Sequence, residues 1–188
     1  ASTLRATGYK TVADVAEASI RELQELPKFG KKTSQKVIHS AKSQINNELY
    51  TISKGGLPDR DPVFIDIETD GLTPTMIWLI GVLDAQSDNY MSFLATDPDN
   101  QGKAVSAFMS WYTANAAGRP VVAYHGEGFD FPNLADHINR YCPQYTDAWK
   151  NAWKFDPLFW GRNQNNAIFP GSTNSLDDVA QALGWEPD

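Results

Sequence analysis

The run Val63-Phe64-Ile65-Asp66-Ile67-Glu68-Thr69-Asp70-Gly71 sets acids into an otherwise apolar segment. Read with period two, Val63, Ile65 and Ile67 share one side, while Asp66 and Glu68 share the other. The pattern predicts a strand over 63–68, closed by a turn at Thr69-Asp70-Gly71. Two carboxylates on one face repel each other and are costly to desolvate. A divalent cation relieves both costs. Mg²⁺ takes few hard oxygen ligands and leaves room for water and phosphate oxygens. Two such ions about 3.5–4 Å apart activate a water and stabilise a leaving oxygen. The plain alternative for a bare Asp-x-Glu is a pair of acids on a solvated edge face.

Downstream, Met76–Asp84 reads as a second strand, with a turn at Gln86-Ser87-Asp88-Asn89 leading into a third, Tyr90–Leu94. A helix over Ala104–Ala116, a short buried strand over Pro120–Tyr124 and a helix over Phe129–Tyr141 follow. Lys154–Trp160 reads as a short strand running into a helix. Ser175–Leu183 reads as a capped helix, with Gly184 at its C′ position. Strand, hairpin, helix, strand, helix makes an α/β fold with a mixed sheet and flanking helices.

Upstream, the periodicity is helical. Thr11 is a candidate N-cap, and Ser19 with Glu22 forms a candidate capping box. A longer helix is expected over Lys31–Asn46, with Val37, Ile38, Ala41 and Ile45 at helical spacing. Residues 53–62 hold two Gly and two Pro and read as a linker. The expected organisation is a helical module over 1–52, a linker over 53–62 and an α/β domain over 63–188.

The net charge of −7 over 188 residues hides an asymmetry. Residues 1–57 carry nine Lys/Arg against five Asp/Glu, and residues 58–188 carry seven against eighteen. A basic module beside an acidic one suits a part that grips phosphates and a part that concentrates carboxylates. No segment reaches the roughly 20 apolar residues of a membrane span. The single cysteine, Cys142, excludes an internal disulfide and a cysteine zinc site. A reducing, cytoplasmic setting is the expectation. The chain opens Ala-Ser-Thr, which reads as a piece of something longer.

Phe64-Ile65-Asp66-Ile67-Glu68-Thr69-Asp70-Gly71 resembles the first motif of the RNase H-like 3′–5′ exonucleases, the DnaQ-like or DEDD superfamily. Val121-Val122-Ala123-Tyr124-His125-Gly126-Glu127-Gly128-Phe129-Asp130-Phe131-Pro132-Asn133-Leu134 resembles the second motif, an apolar strand followed by Phe-Asp opening a helix. Ile80-Gly81-Val82 and Ser175-Leu176 add a likeness to the YprB-type domains found with RecB-like nucleases. The resemblance spans about 62–185. It implies an RNase H-like fold in which Asp66, Glu68 and Asp130 are catalytic and hold Mg²⁺ or Mn²⁺, their carboxylates within about one coordination sphere. Thr69 and His125 would line the site; the family usually has Asn where His125 stands. The resemblance implies a structural role for Asp156. It also places a fourth Asp on a later helix, leaving that ligand open between sequence beyond residue 188 and an unusual supply from Asp177, Asp178 or Asp188.

Leu26-Pro27-Lys28-Phe29-Gly30-Lys31-Lys32-Thr33-Ser34-Gln35-Lys36-Val37 resembles a helix-hairpin-helix, whose family hairpin reads Leu-Pro-Gly-Ile-Gly-Lys-Lys-Thr-Ala. Such a turn exposes backbone N–H groups at a helix N-terminus and holds a phosphate without reading bases. Lys28, Gly30, Lys31, Lys32 and Lys36 are the expected nucleic-acid-binding residues. Lys28 replaces the first hairpin Gly, in a position where Lys adopts the required backbone only at a cost. Together the two resemblances imply a metal-dependent nuclease, a 3′–5′ exonuclease on DNA, with RNA left open. The rival is a non-catalytic nucleic-acid-binding or interaction fragment of a larger nuclease.

Overall fold

The computed structural model describes residues 2–171 and 173–186. Asp188, one of the candidate fourth acids, lies outside them. The described chain forms two compact units, Gly56–Trp160 and a second one built from Ala1–Gly55 with Gly161–Asp188.

In the second unit, short helices α1 (Ser2–Ala6), α2 (Val12–Glu17) and α3 (Ile20–Gln24) lead into the sixteen-residue α4 (Lys31–Asn46). Both expected caps form. Thr11 accepts from the Asp14 N–H and Ser19 from the Glu22 N–H, each with the reciprocal carboxylate bond of a capping box. Leu23, Ile38 and Ala41 are buried, whereas Ile45 is half exposed, so the inward stripe of α4 runs through Ser34, Ile38 and Ala41. Two strands that the sequence did not announce, β1 (Tyr50–Thr51) and β7 (Ala167–Ile168), pair antiparallel. At two residues each they are too short for any periodicity to register. α8 (Leu176–Ala182) starts at its Ser175 cap, and Gly184 follows with φ 91°.

The other unit is built on β2 (Val63–Thr69), β3 (Ile77–Asp84), β4 (Asn89–Leu94), β5 (Val121–Val122) and β6 (Lys154–Phe155). They form one mixed sheet in the order β4-β3-β2-β5-β6. β3 pairs antiparallel with both β2 and β4, β5 adds parallel to the other side of β2, and β6 adds parallel to β5. Val63, Ile65 and Ile67 are buried, and Phe64, Asp66 and Glu68 are exposed. The buried side meets Val105, Phe108 and Tyr112 of α5 (Gln101–Asn115), Leu134 and Ile138 of α6 (Asp130–Tyr141), and Trp149 of α7 (Thr146–Lys150). α5 begins earlier than the sequence suggested. Asp97 caps a preceding 3-10 turn through the Asn100 N–H at 3.0 Å, and that turn runs straight into the helix. Beneath the sheet edge, Arg119 donates to Asp84 and to the carbonyls of Asp61 and Pro62, pinning the entry of β2 to the end of β3.

Candidate functional site

β5 pairs with β2 only at Val63 and Phe64. Beyond those residues the β5 side of β2 has no strand against it, and the Ile67 N–H needs another acceptor. Asp130, the first residue of α6, supplies one: its Oδ1 accepts from Ile67 N–H at 3.2 Å. The carboxylate of Asp130 is thereby tied to the residue between Asp66 and Glu68. Asp130 is 4% exposed, whereas Asp66 and Glu68 lie on the open face of β2.

The electrostatics follow from this placement. Burial pushes the Asp130 carboxyl up to about 6, and the negative charges of Asp66 and Asp156 add to the effect. Although Asp66 lies on the open face, partial desolvation of its carboxyl raises it too, with the charge of Glu68 as the second cause. Asp66 thus bears on Asp130 and is itself raised by Glu68. Among the described residues, no Lys or Arg forms an ion pair with any of the three. Opposite Asp66 across the strand pair is Gly81. A Cβ there would come within 3.3 Å of the Tyr90 hydroxyl, so glycine leaves room beside the acid for both.

A second carboxylate organises the loop that delivers Asp130. Asp156 is buried and accepts four backbone N–H bonds, from His125 and Glu127 at 3.1 Å, Leu158 at 2.9 Å and Phe159 at 3.1 Å. Two of these bonds hold the loop and two hold the turn that follows Asp156 itself, consistent with a structural role. His125 has φ 62°, in the left-handed region that Asn, Asp and His enter most readily among non-glycines. His suits this backbone conformation as Asn does. Gly128 lies under the His125 ring, and a Cβ would sit 2.7 Å from Nε2. Gly126 is closed in by Ala123 and the Phe131 ring, at 2.7 and 2.8 Å from a would-be Cβ. Thr69 spends its hydroxyl on the Gly71 carbonyl at 2.9 Å, which holds the turn after β2.

Among the described residues, no three His, Cys, Asp or Glu side chains gather closely enough to enclose a metal ion. Asp66, Glu68 and Asp130 fit a hard divalent cation by donor type and by their unneutralised charge. The expected convergence of Asp66, Glu68 and Asp130 within one coordination sphere is therefore not met by their side chains. Asp177 and Asp178 lie in the first turn of α8, where acids complement the macrodipole. Asp178 also accepts from the Thr173 N–H. The role of the Ile67 N–H left no trace in the sequence, because every residue type but proline carries that donor.

In the other unit, Lys28 has φ 70°, the strained conformation that its replacement of a glycine implied. Gly30 is the N-cap of α4 and makes no side-chain cap bond, and no acid lies in the first turn. The helix therefore starts with N–H groups and macrodipole unneutralised, with exposed Lys31 and Lys32 beside them.

Fold and site together describe an α/β domain of the RNase H kind, with an acid-bearing central strand, preceded by a helix-hairpin-helix. A family profile described as the RNase H superfamily matches residues 63–188, and a SAM-like helix-hairpin-helix tandem matches residues 1–43. The chain belongs to the RNase H superfamily. Among solved structures it is similar to exonuclease I (apo), with 14% identity and TM-score 0.50 over 66% of this chain and 37% of that one. It is equally similar to E. coli exonuclease I in complex with a dT13 oligonucleotide, at 14% identity and TM-score 0.50 over 68% and 36% of the two chains. At that identity the likeness is one of fold, and the chain spans little more than a third of those proteins' length. No curated protein matches by sequence. Among the described residues, no helix is long and apolar enough to cross a membrane.

Proposed function

We propose that the chain is a divalent-metal-dependent nuclease that shortens nucleic-acid strands from the 3′ end, with DNA as the favoured substrate. The observation that supports this reading best is the tie between Asp130 and the Ile67 N–H. It holds a buried carboxylate, raised to about 6, beside Asp66 and Glu68. Asp66, Glu68 and Asp130 would hold Mg²⁺ or Mn²⁺, which supplies Lewis acidity toward a phosphate and lowers the pKa of bound water. The chain's own contribution is to fix the acids in place. β2 sets Asp66 and Glu68 on one face, and the Ile67 bond together with the Asp156 loop fixes Asp130. Lys31, Lys32 and the uncapped start of α4 would hold the strand's backbone, with Lys28 and Lys36 adding charge. The likeness to domains that accompany RecB-like nucleases adds a partner nuclease domain to the same proposal.

One observation favours a second reading, a domain that binds nucleic acid without cutting it: the absence, among the described residues, of a closed three-carboxylate cluster. The test separates the two. The chain is incubated with 5′-labelled single- and double-stranded DNA and RNA, with Mg²⁺ or Mn²⁺, beside Asp66→Asn and Asp130→Asn; Mn²⁺ binding is followed by calorimetry. The nuclease reading expects a ladder of 3′-shortened products that both variants lose, along with Mn²⁺ binding that weakens as pH falls through about 6. Strand binding with neither Mn²⁺ uptake nor cleavage establishes the second reading.

A further inference from the structure

A small cavity of about 220 Å³ lies in the unit that carries the hairpin. Its lining joins segments distant in sequence: Lys36 and Ser40 from α4, Ile52 after β1, and Arg162, Asn165 and Asn174 from around β7. The β1–β7 pairing brings them together, and the Ile52 and Ser53 N–H groups close the end of that pair on the Asn166 carbonyl at 2.7 and 3.1 Å.

In a chain of net charge −7, this cavity is lined by two cations and no acid. Neither Lys36 nor Arg162 has a carboxylate partner among the described residues. The Lys36 ammonium is not loose. It donates to Asn165 Oδ1 at 2.7 Å, and Asn165 is itself held in a left-handed turn at φ 56°. An ammonium has three donors, so this bond leaves capacity for an anion. Arg162 brings a planar fork suited to phosphate oxygens. The volume suits a phosphate group with its ester oxygens and is too small for a base pair.

We propose that this cavity is a phosphate-binding site for a nucleic-acid strand, separate from the hairpin turn, with Arg162 and Lys36 as its cationic arms. The site rests on the nucleic-acid reading above and extends it. Lys36 lies one helical turn beyond Lys32, about 6 Å along the axis. A strand held at the start of α4 therefore has a second grip close by. Arg162 carries no sequence signal of its own, because it lies in a stretch without periodicity.

The test is strand binding by the whole chain in EDTA, where cleavage plays no part, so failure of the nuclease reading and failure of this one are distinguishable. Affinity of a labelled dT oligonucleotide is measured against salt for the wild type, Arg162→Gln, Arg162→Lys and Lys36→Gln, with a neutral methylphosphonate oligonucleotide as control. Inorganic phosphate is titrated separately and followed by NMR of the Asn165 and Asn174 side-chain amides. Arg162→Gln is expected to weaken dT binding about tenfold and to lower the salt slope by about 0.7, the loss of one contact to a single strand. Arg162→Lys should restore most of the slope, and the neutral strand should be indifferent to all three changes. Unchanged affinity and slope in a folded Arg162→Gln protein overturn the proposal. So does a cavity that takes inorganic phosphate while strand binding ignores Arg162, which would make it a site for free phosphate.

Discussion

Asp130 is where burial, charge and backbone bonding meet on one side chain. Its carboxyl is raised from an ordinary value of 3.8 to about 6 in the folded chain. Below pH 4 it is protonated in both the folded and unfolded states and has no effect on stability. Between 4 and 6 the unfolded chain gives up its proton while the folded one keeps it, and stability falls. Above 6 the cost is complete, at roughly 3 kcal/mol. Asp130→Asn keeps an oxygen for the Ile67 N–H and removes the charge. In metal-free buffer the variant should unfold at higher urea than wild type at pH 7.5, and the two should coincide at pH 3.5. A variant less stable than wild type at pH 7.5 would mean that the carboxylate has a cationic partner. The same substitution removes a donor from the candidate metal site, so gain in stability and loss of Mn²⁺ binding should go together.

At the level of elements, the hairpin between α3 and α4 carries a conflict between conformation and charge. Lys28 sits at φ 70°, a region that costs an L-residue about 1–2 kcal/mol and costs glycine nothing. Part of the gain from a glycine is lost to its freer unfolded chain. Lys28→Gly should therefore stabilise the protein by about 0.5–1 kcal/mol, read from urea denaturation, and weaken oligonucleotide binding through the lost charge. Elsewhere the elements agree with their local chemistry. Two capping boxes start α2 and α3, and Gly184 follows α8 in the left-handed conformation.

For the whole molecule, charge is unevenly divided along the chain, and the lysines at the start of α4 have no acid in that first turn to offset them. Replacing Lys31 and Lys32 together with Glu favours the helix macrodipole, so the fold should be as stable or slightly more so. Strand binding should nevertheless weaken, and its salt slope should fall by about 1.4 for single-stranded DNA. Cleavage at saturating oligonucleotide should be little changed, because the acids of β2 and α6 are untouched. Equal binding by both forms at low salt would make the hairpin a packing unit. Opposite effects on folding and binding keep this measurement free of trivial loss of structure.

Sequence alone determined what repeats or punctuates. The alternation in β2 put Asp66 and Glu68 on one open face, the 3.6-residue period marked α4 and α6, and Thr11, Ser19, Ser175 and Gly184 marked helix ends. Those signals are local, since each depends on side chains within a few residues of one another. Tertiary structure alone decided what joins distant residues. Only the fold ties Asp130 to the Ile67 N–H across 63 positions, brings Asp156 to the His125 and Glu127 N–H groups about thirty residues upstream, and pairs two-residue strands β1 and β7. Such contacts are made largely by backbone groups, which are the same at every position and so leave no mark in the sequence of side chains.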